Sequence, residues 1–137
     1  MSNQSNTEKE ASTSVEKNQH ILIIDDDVEV TESIRQALLA VGYSVSVALD
    51  GNQGLAYTEA KSPDLLILDI MMPRRSGFLV LERLRQSDSK PIPVIMITGN
   101  EGARHREYAE MLGVNDYINK PFTMDRLLGS ISDLLEK

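Results

Sequence analysis

The sequence predicts an α/β fold in which five parallel strands form one sheet with helices on both faces. Short apolar runs rich in Ile, Leu and Val recur along the chain, and such runs are typical of strands buried on both faces of a parallel sheet. Amphipathic segments of helix length separate the runs, and the links between them are short. A length of 137 residues favours a single domain with a substantial core.

Strand and helix alternate five times from residue 20 onward. In chain order the predicted elements are a strand at 20–25, a helix at 28–41, a strand at 44–48, a helix at 52–61, a strand at 64–69, a helix at 77–87, a strand at 93–98, a helix at 102–112, a strand at 115–119 and a helix at 123–136.

The first two helices have clear boundary signals. Ile34 and Leu38 lie on one face of the first helix, and Gly42 follows it as a C-terminal stop. Asp50 and Gly51 form a turn that opens the second helix.

The later elements are assigned in the same way. Phe78, Leu81 and Leu84 recur at helical spacing in the third helix, and Pro91 and Pro93 introduce the fourth strand. The apolar side of the last helix is formed by Leu127, Leu128, Ile131, Leu134 and Leu135.

The N-terminal segment differs in composition from the rest of the chain. Residues 1–18 are almost entirely polar, so they bury too little apolar surface to offset the entropy lost on ordering. We therefore expect a disordered tail at 1–18 and one folded domain at 19–137.

Composition excludes several classes of function. The 21 acidic residues outnumber the 14 basic ones, giving a net charge of −7, which disfavours nucleic-acid binding through phosphate contacts. There is no cysteine, which excludes disulfides and thiolate metal sites. His20 and His105 lack the spacing of metal ligands and are expected to face solvent. No apolar stretch reaches membrane-span length and no secretory signal opens the chain, so a cytoplasmic protein is expected.

Four predicted strands end at residues suited to phosphoryl chemistry. The first strand runs into Asp25, Asp26 and Asp27, the third ends at Asp69, the fourth at Thr98, and the fifth leads to Lys120. In an open parallel sheet, ligands bind at the carboxyl ends of the strands. Each residue alone has a simpler interpretation as a turn former or helix cap, but together they predict one shared crevice.

These residue types complement one another chemically. Carboxylates in one crevice repel unless a cation intervenes, and a hard oxygen site with few carboxylates suits Mg²⁺ together with phosphate oxygens. Lys120 is a flexible point charge for a phosphoryl oxygen, and the Thr98 hydroxyl can donate a hydrogen bond to another. A carboxylate in this setting can act as a nucleophile and form an aspartyl phosphate.

The motifs resemble those of a known family. The segments ILIIDDD, LLILDIMMP, PVIMIT and DYINKPF, with a glycine four residues beyond the MMP proline, occur in this order from Ile21 to Leu135. On the basis of these motifs together, the chain resembles the receiver domain of two-component response regulators and is similar to the stand-alone chemotaxis-type regulators. The resemblance implies a flavodoxin-like sheet with strand order 2-1-3-4-5 and five helices.

The resemblance also implies a metal site. Asp26 and Asp69 would bind Mg²⁺ directly, with Mn²⁺ as a substitute, and the backbone carbonyl of Met71 would be a third ligand. Asp25 would act mainly through water. Asp27 lies just beyond the two acidic positions of the family and is interpreted as a helix N-cap.

The remaining roles concern the phosphoryl group. Asp69 would accept it, Lys120 would pair with it, and the Lys120-Pro121 bond is expected to be cis. Thr98 and Tyr117 would form a switch pair, in which the hydroxyl moves toward the phosphoryl group while the ring turns inward.

The predicted function is a phosphorylation-activated signalling switch. The donor would be a sensor histidine kinase or a histidine phosphotransfer domain, and the output would be protein–protein contact through the face of the fourth helix, fifth strand and fifth helix. The chain would act as a monomer or a weak phosphorylation-dependent dimer, without binding nucleic acid or membrane. Its only catalysis would be its own phosphoryl transfer and autodephosphorylation.

Departures from the family pattern concern rate and dimerisation. Gly99 replaces the commoner alanine and should open access to the site, and Met71 with Asn100 occupies positions that tune phosphoryl lifetime. Ser130 replaces a basic residue common in winged-helix-type regulators, which weakens their style of dimer.

Other functional classes fit these residues less well. A Mg²⁺-dependent aspartyl-phosphate hydrolase of the haloacid dehalogenase type would carry an acid where this chain has Met71. A flavodoxin-like electron carrier would need a phosphate loop where the acidic triplet stands. Two further hypotheses are a receiver domain cut from a longer DNA-binding response regulator and a binding module that keeps the fold without phosphorylation.

Overall fold

The computed structural model describes residues 18–70, 72, 76–86, 91–99 and 103–136, except for the side chains of 103 and 104. The predicted tail therefore lies outside the described residues as far as residue 17. The elements, in chain order, are β1 (His20–Ile24), α1 (Val28–Val41), β2 (Ser44–Ala48), α2 (Gly51–Lys61), β3 (Leu65–Asp69), α3 (Gly77–Gln86), β4 (Val94–Thr98), α4 (Ala103–Met111), β5 (Asp116–Asn119) and α5 (Met124–Leu135). Each boundary lies within one residue of the predicted one.

The five strands form one parallel sheet in the order β2-β1-β3-β4-β5, so the predicted strand order is confirmed. In the register of β1 with β3, Ile24 lies beside Leu68. The residues that follow, Asp25 and Asp69, therefore leave neighbouring strands at the same edge of the sheet. The strand order reverses direction between β1 and β3, which is the point where open α/β sheets bind ligands.

The core has two layers, one on each face of the sheet. Because side chains alternate along a strand, Leu22 and Leu66 pack on the side of α2, α3 and α4, whereas Ile23 and Ile67 pack on the side of α1 and α5. Each fully buried Leu or Ile stabilises the fold by roughly 1.5–3 kcal/mol relative to exposure. All residues of β3 and β4 are buried, so the central strands hold their polar ends in fixed positions.

The caps of α1 follow the sequence prediction. Asp27 has extended backbone geometry, and its carboxylate accepts hydrogen bonds from the N–H groups of Glu29 and Val30 at 3.0 and 3.1 Å. Gly42 ends the helix with φ of 113°, in the left-handed region that favours glycine. Asp27 is therefore confirmed as the N-cap, and its carboxylate is oriented toward the helix.

The prediction that both histidines face solvent is wrong. Both are half-buried, and His105 packs edge-on against the ring of Phe78 with centroids 5.6 Å apart. The ring of His20 stacks on Tyr57, with its Nδ1 2.6 Å from the hydroxyl of Ser44. Small residues on the edge strand β2 leave room for the His20 ring, and burial lowers its pKa.

None of the helices in the described part of the chain has both the length and the apolar character needed to cross a bilayer.

Candidate functional site

The site lies where β1 and β3 end. Asp25 is fully buried, Asp26 is exposed, and Asp69 is buried at the last position of β3. One carboxylate oxygen from each of the three lies within 4.8 Å of the others. The structure thus brings together the three acidic residues that the sequence predicted, and like charges at this separation favour a bound cation.

Asp25 is held in one position by contacts on both of its oxygens. Its Oδ1 accepts a hydrogen bond from the N–H of Asp27 at 2.9 Å, and its Oδ2 accepts one from Nζ of Lys120 at 3.1 Å. Its own N–H donates to the carbonyl of Ala48 at 3.1 Å. A buried carboxylate is tolerated here because it is paired and hydrogen-bonded.

Lys120 reaches the site from the end of β5. Its Nζ lies 3.1 Å from Asp25 Oδ2 and 3.9 Å from Asp69 Oδ2, and its side chain is 24% exposed. The backbone N–H of Lys120 donates to the carbonyl of Thr98 at 2.7 Å. The peptide bond to Pro121 is cis, as expected. The ammonium therefore lies between two carboxylates with one side open to solvent.

Thr98 ends β4 and is fully buried. Gly99 follows it, and an added Cβ there would meet no atom within 4 Å; the predicted effect of Gly99 on access to the site stays a prediction. Asn100 and Met71 lie outside the described residues. The proposed Met71 carbonyl ligand and the two lifetime-tuning positions therefore stay predictions.

Tyr117 lies on β5 with its side chain directed into the core. It is 7% exposed and packs with the cluster that contains Leu22 and Met96. The guanidinium carbon of Arg106 lies 5.6 Å from the centre of the ring. Burial raises the pKa of Tyr117, whereas the positive charge of Arg106 acts in the opposite direction.

Gly77 places the start of α3 against the backbone of the site. A Cβ at Gly77 would lie 2.2 Å from the carbonyl oxygen of Asp69 and 2.8 Å from the Cα of Ile70. The N–H of Gly77 donates to the carbonyl of Ile70 at 2.8 Å. The start of α3 therefore packs directly on the strand end that carries Asp69.

Ser130 takes part in a polar cluster that the sequence did not reveal. Its hydroxyl donates to Asp116 Oδ2 at 2.6 Å, and Arg126 donates to both oxygens of Asp116 at 2.8 and 3.0 Å. Burial acts to raise the pKa of Asp116, but the hydrogen bonds from Arg126, Ser130 and the Tyr117 N–H outweigh it and hold that pKa below its ordinary value. On the predicted output face, Asp116, Arg126 and Ser130 are thus paired with one another.

Sequence reasoning also missed Arg106. Its Nε donates to Glu110 Oε2 at 3.3 Å, and an Arg–Glu pair four residues apart is typical of a solvent-exposed helix surface. Only the fold shows that the same guanidinium lies over Tyr117.

A groove of about 900 Å³ opens at the opposite end of the sheet, where the strands begin. Leu55, Leu84, Ile92 and Leu135 are among the residues that line it. It contains none of the carboxylates described above, so it does not belong to this site.

Comparison with known proteins identifies what this arrangement is similar to. The family model described as the response regulator receiver domain matches residues 21–132. Response regulator MprA of Mycolicibacterium vanbaalenii is 38% identical over 117 residues, which cover 85% of this chain and 50% of that protein. Transcriptional regulatory protein DltR of Streptococcus agalactiae is 40% identical over 111 residues, which cover 81% of this chain and 49% of that protein. The chain spans about half the length of these curated relatives.

Solved structures show the same fold. A CheY-like response regulator receiver domain from Methanospirillum hungatei has a TM-score of 0.81 and 32% identity, over 86% of this chain and 94% of that one. A putative response regulator from Chloroflexus aurantiacus has a TM-score of 0.82 and 31% identity, over 88% of this chain and all of that one (100%).

Proposed function

The chain belongs to the response regulator receiver domain family, and we propose that it is a phosphorylation-activated switch in which Asp69 accepts the phosphoryl group. The observation that carries this proposal is the cluster of Asp25, Asp26 and Asp69, together with the ammonium of Lys120 beside the first and last of them. The chain is a receiver domain and not a classical enzyme. The chemistry we propose is limited to its own phosphorylation and autodephosphorylation.

The contacts of the three carboxylates support Asp69 as the acceptor. Both oxygens of Asp25 are engaged, one by the Asp27 N–H and the other by Lys120. Lys120 Nζ is 3.9 Å from Asp69 Oδ2. At this distance the ammonium can move to contact an oxygen of a phosphoryl group on Asp69. An Asp69 oxygen forms the new P–O bond while the P–N bond of a phosphohistidine donor breaks, and the imidazole leaves.

The donor set fits a hard divalent cation. Carboxylate oxygens are the ligands preferred by Mg²⁺, which keeps several of its waters, and the exposure of Asp26 gives a hydrated ion access to the cluster. Asp26 and Asp69 would hold Mg²⁺ or Mn²⁺ with the Met71 carbonyl, and Asp25 would act mainly through water. When bound, the ion neutralises charge on the phosphoryl oxygens.

We further propose that Thr98 and Tyr117 form the switch. A phosphoryl group on Asp69 gains a hydrogen bond from the Thr98 hydroxyl and an ion pair with Lys120, so it stabilises the arrangement in which both are close. The burial of Thr98 and the inward ring of Tyr117 on the neighbouring strand support this coupling. The output surface is the face of α4, β5 and α5.

The partners that we propose follow from this role. The phosphodonor is a sensor histidine kinase or a histidine phosphotransfer domain in the cytoplasm. We also propose residues 19–137 as the receiver domain, with residues 1–18 outside it. Output by protein–protein contact is the first proposal. A second is that this receiver domain is part of a longer DNA-binding regulator, which is favoured by the description of DltR as a transcriptional regulatory protein and by the greater length of both MprA and DltR.

Intact-mass spectrometry with acetyl phosphate and Mg²⁺ tests the acceptor. Wild type should gain the mass of one phosphoryl group, Asp69→Asn should gain none, and Asp26→Ala should respond only weakly because a metal ligand is lost. A full adduct on Asp69→Asn would reject Asp69 as the acceptor.

NMR with the phosphoryl mimic beryllofluoride tests the switch. Shift changes in wild type should extend across residues 98–122, and they should be lost at Tyr117 in Thr98→Ala. Changes confined to Asp25, Asp26 and Asp69 would show binding without a switch.

A further inference from the structure

The inward-facing ring of Tyr117 is contacted on its outer side by Arg106. The Tyr117 side chain is 7% exposed, whereas the Arg106 side chain that lies over it is 58% exposed. The guanidinium carbon is 5.6 Å from the ring centre, within the distance at which a cation is attracted by an aromatic face. Arg106 therefore covers the ring on its solvent side.

The helix that carries Arg106 is fastened to the body of the domain. Arg85 on α3 donates hydrogen bonds to the carbonyls of Leu112 and Gly113, just beyond the end of α4, at 3.0 and 2.8 Å. The Tyr108 hydroxyl on α4 donates to Glu82 on α3. These contacts to α3 fix the backbone of α4 independently of Tyr117, so the position of Arg106 does not depend on the ring that it covers.

We propose that Arg106 is a positioning residue that holds the Tyr117 ring in its inward orientation. This inference rests on the proposed function, because it concerns a residue of the proposed switch pair. When the ring rotates outward, it loses the cation over its face and exposes apolar surface. The cation–aromatic attraction and the burial of apolar surface therefore both favour the inward ring. A phosphoryl group then acts on an equilibrium already biased by Arg106. Removing the cation should shift the ratio of inward to outward ring about two- to fivefold toward outward.

The test is NMR of the full chain with labelled tyrosine rings and a soluble paramagnetic probe. In Arg106→Gln, without phosphodonor, the relaxation enhancement of the Tyr117 ring should rise, and its χ1 couplings should report an outward population larger by about two- to fivefold, because loss of the covering side chain alone would raise the enhancement without rotating the ring. The rings of Tyr57 and Tyr108 serve as internal references and should keep their wild-type values. The proposal would be overturned if the Tyr117 ring were as protected in this variant as in wild type. It would also be overturned by an equal change at Tyr108, which would report loosening of all of α4.

Glu110→Gln is the matched control. It removes the ion pair with Arg106, in which both side chains are 58% exposed, but leaves the cation over the ring. Because an exposed ion pair contributes little, the Tyr117 ring should stay protected as in wild type. Exposure equal to that in Arg106→Gln would assign the effect to the ion pair and overturn the proposal.

Beryllofluoride separates this inference from the proposed function. In Arg106→Gln it should restore the protection of the Tyr117 ring, because the phosphoryl mimic pulls the switch pair together through Thr98. Absence of any beryllofluoride response in wild type would reject the proposed function and leave the result without phosphodonor standing. A normal response in wild type with no effect of Arg106→Gln would reject the positioning role alone.

Discussion

Replacing Gly77 with alanine should distort the strand end that carries Asp69. The added Cβ would lie 2.2 Å from the carbonyl oxygen of Asp69, 2.8 Å from the Cα of Ile70 and 2.9 Å from the carbonyl carbon of Asp69. All three atoms belong to the backbone of a buried segment, so no side chain can rotate away. The backbone of Gly77 is not in the left-handed region, so the effect of the substitution is steric.

The size of the effect follows from these distances. Ordinary contact begins near 3.4 Å, so the start of α3 and the strand end must separate by about 1 Å in a closely packed interior. Overpacking typically costs about 1–3 kcal/mol, and we expect about 3 kcal/mol here because both sides of the contact are backbone. For a domain of this size that corresponds to a fall in Tm of about 10 °C. A displacement of about 1 Å at a reacting group lowers the rate of reaction roughly 100-fold.

Two measurements check this prediction, with Gly99→Ala as the control. Urea unfolding should show the loss of about 3 kcal/mol in Gly77→Ala. Gly99→Ala should be neutral or up to about 1 kcal/mol more stable, because its Cβ meets no atom within 4 Å. Acetyl phosphate should label folded Gly77→Ala far more slowly than wild type. If Gly77→Ala matched Gly99→Ala in stability and labelled at the wild-type rate, the packing argument would be wrong.

Three further predictions concern stability, each measured by urea unfolding. In Gly54→Ala the Cβ would lie 2.3 Å from Cδ1 of the buried Ile24, so overpacking should outweigh the helix-propensity gain and destabilise by about 1 kcal/mol. In Gly129→Ala, where the Cβ meets no atom within 4 Å, the helix-propensity gain of about 1 kcal/mol should remain. A change in unfolding free energy of the same sign in both variants would contradict this prediction. Burial lowers the pKa of His20 below its ordinary 6.5, so the unfolded chain takes up the proton first and stability should fall as pH drops from 6.5 through the lowered pKa. His20→Gln should flatten that fall, and an unchanged slope would refute the assignment. Asp27→Ala removes the side-chain acceptor at the start of α1 and should lower the free energy of unfolding by about 1 kcal/mol. A urea midpoint equal to that of wild type would show that the cap contributes nothing.

The cluster of Asp25, Asp69 and Lys120 could be predicted because sequence order and parallel pairing together determine where strands end. Once the apolar runs are recognised as neighbouring parallel strands, the residues that follow them must share one edge of the sheet. The same logic placed Thr98 at the end of its strand and Tyr117 within the next one. These predictions depend on backbone topology alone, which the hydrophobic pattern encodes strongly.

Arg106 and His20 could not be assigned correctly because their environment depends on side-chain contacts across the fold. The pattern around Arg106 is that of an exposed helix surface, and its neighbour Tyr117 comes from a strand that is adjacent only after folding. His20 looked exposed because it precedes an apolar run. Small serines on the edge strand and the ring of Tyr57 create its partly buried position, and no local pattern signals a contact of that kind.

The ion pair between Lys120 and Asp25 has a consequence for biosynthesis, because it joins residues 95 positions apart. A ribosome adds about 5–20 residues per second, so Asp25 precedes Lys120 by about 5–20 s, and Asp69, which lies 51 positions before Lys120, precedes it by about 3–10 s. Until Lys120 is added, a growing chain carries these carboxylates without the ammonium that balances them. On the role proposed for Lys120, a nascent domain becomes competent to accept a phosphoryl group only after its last strand has been made.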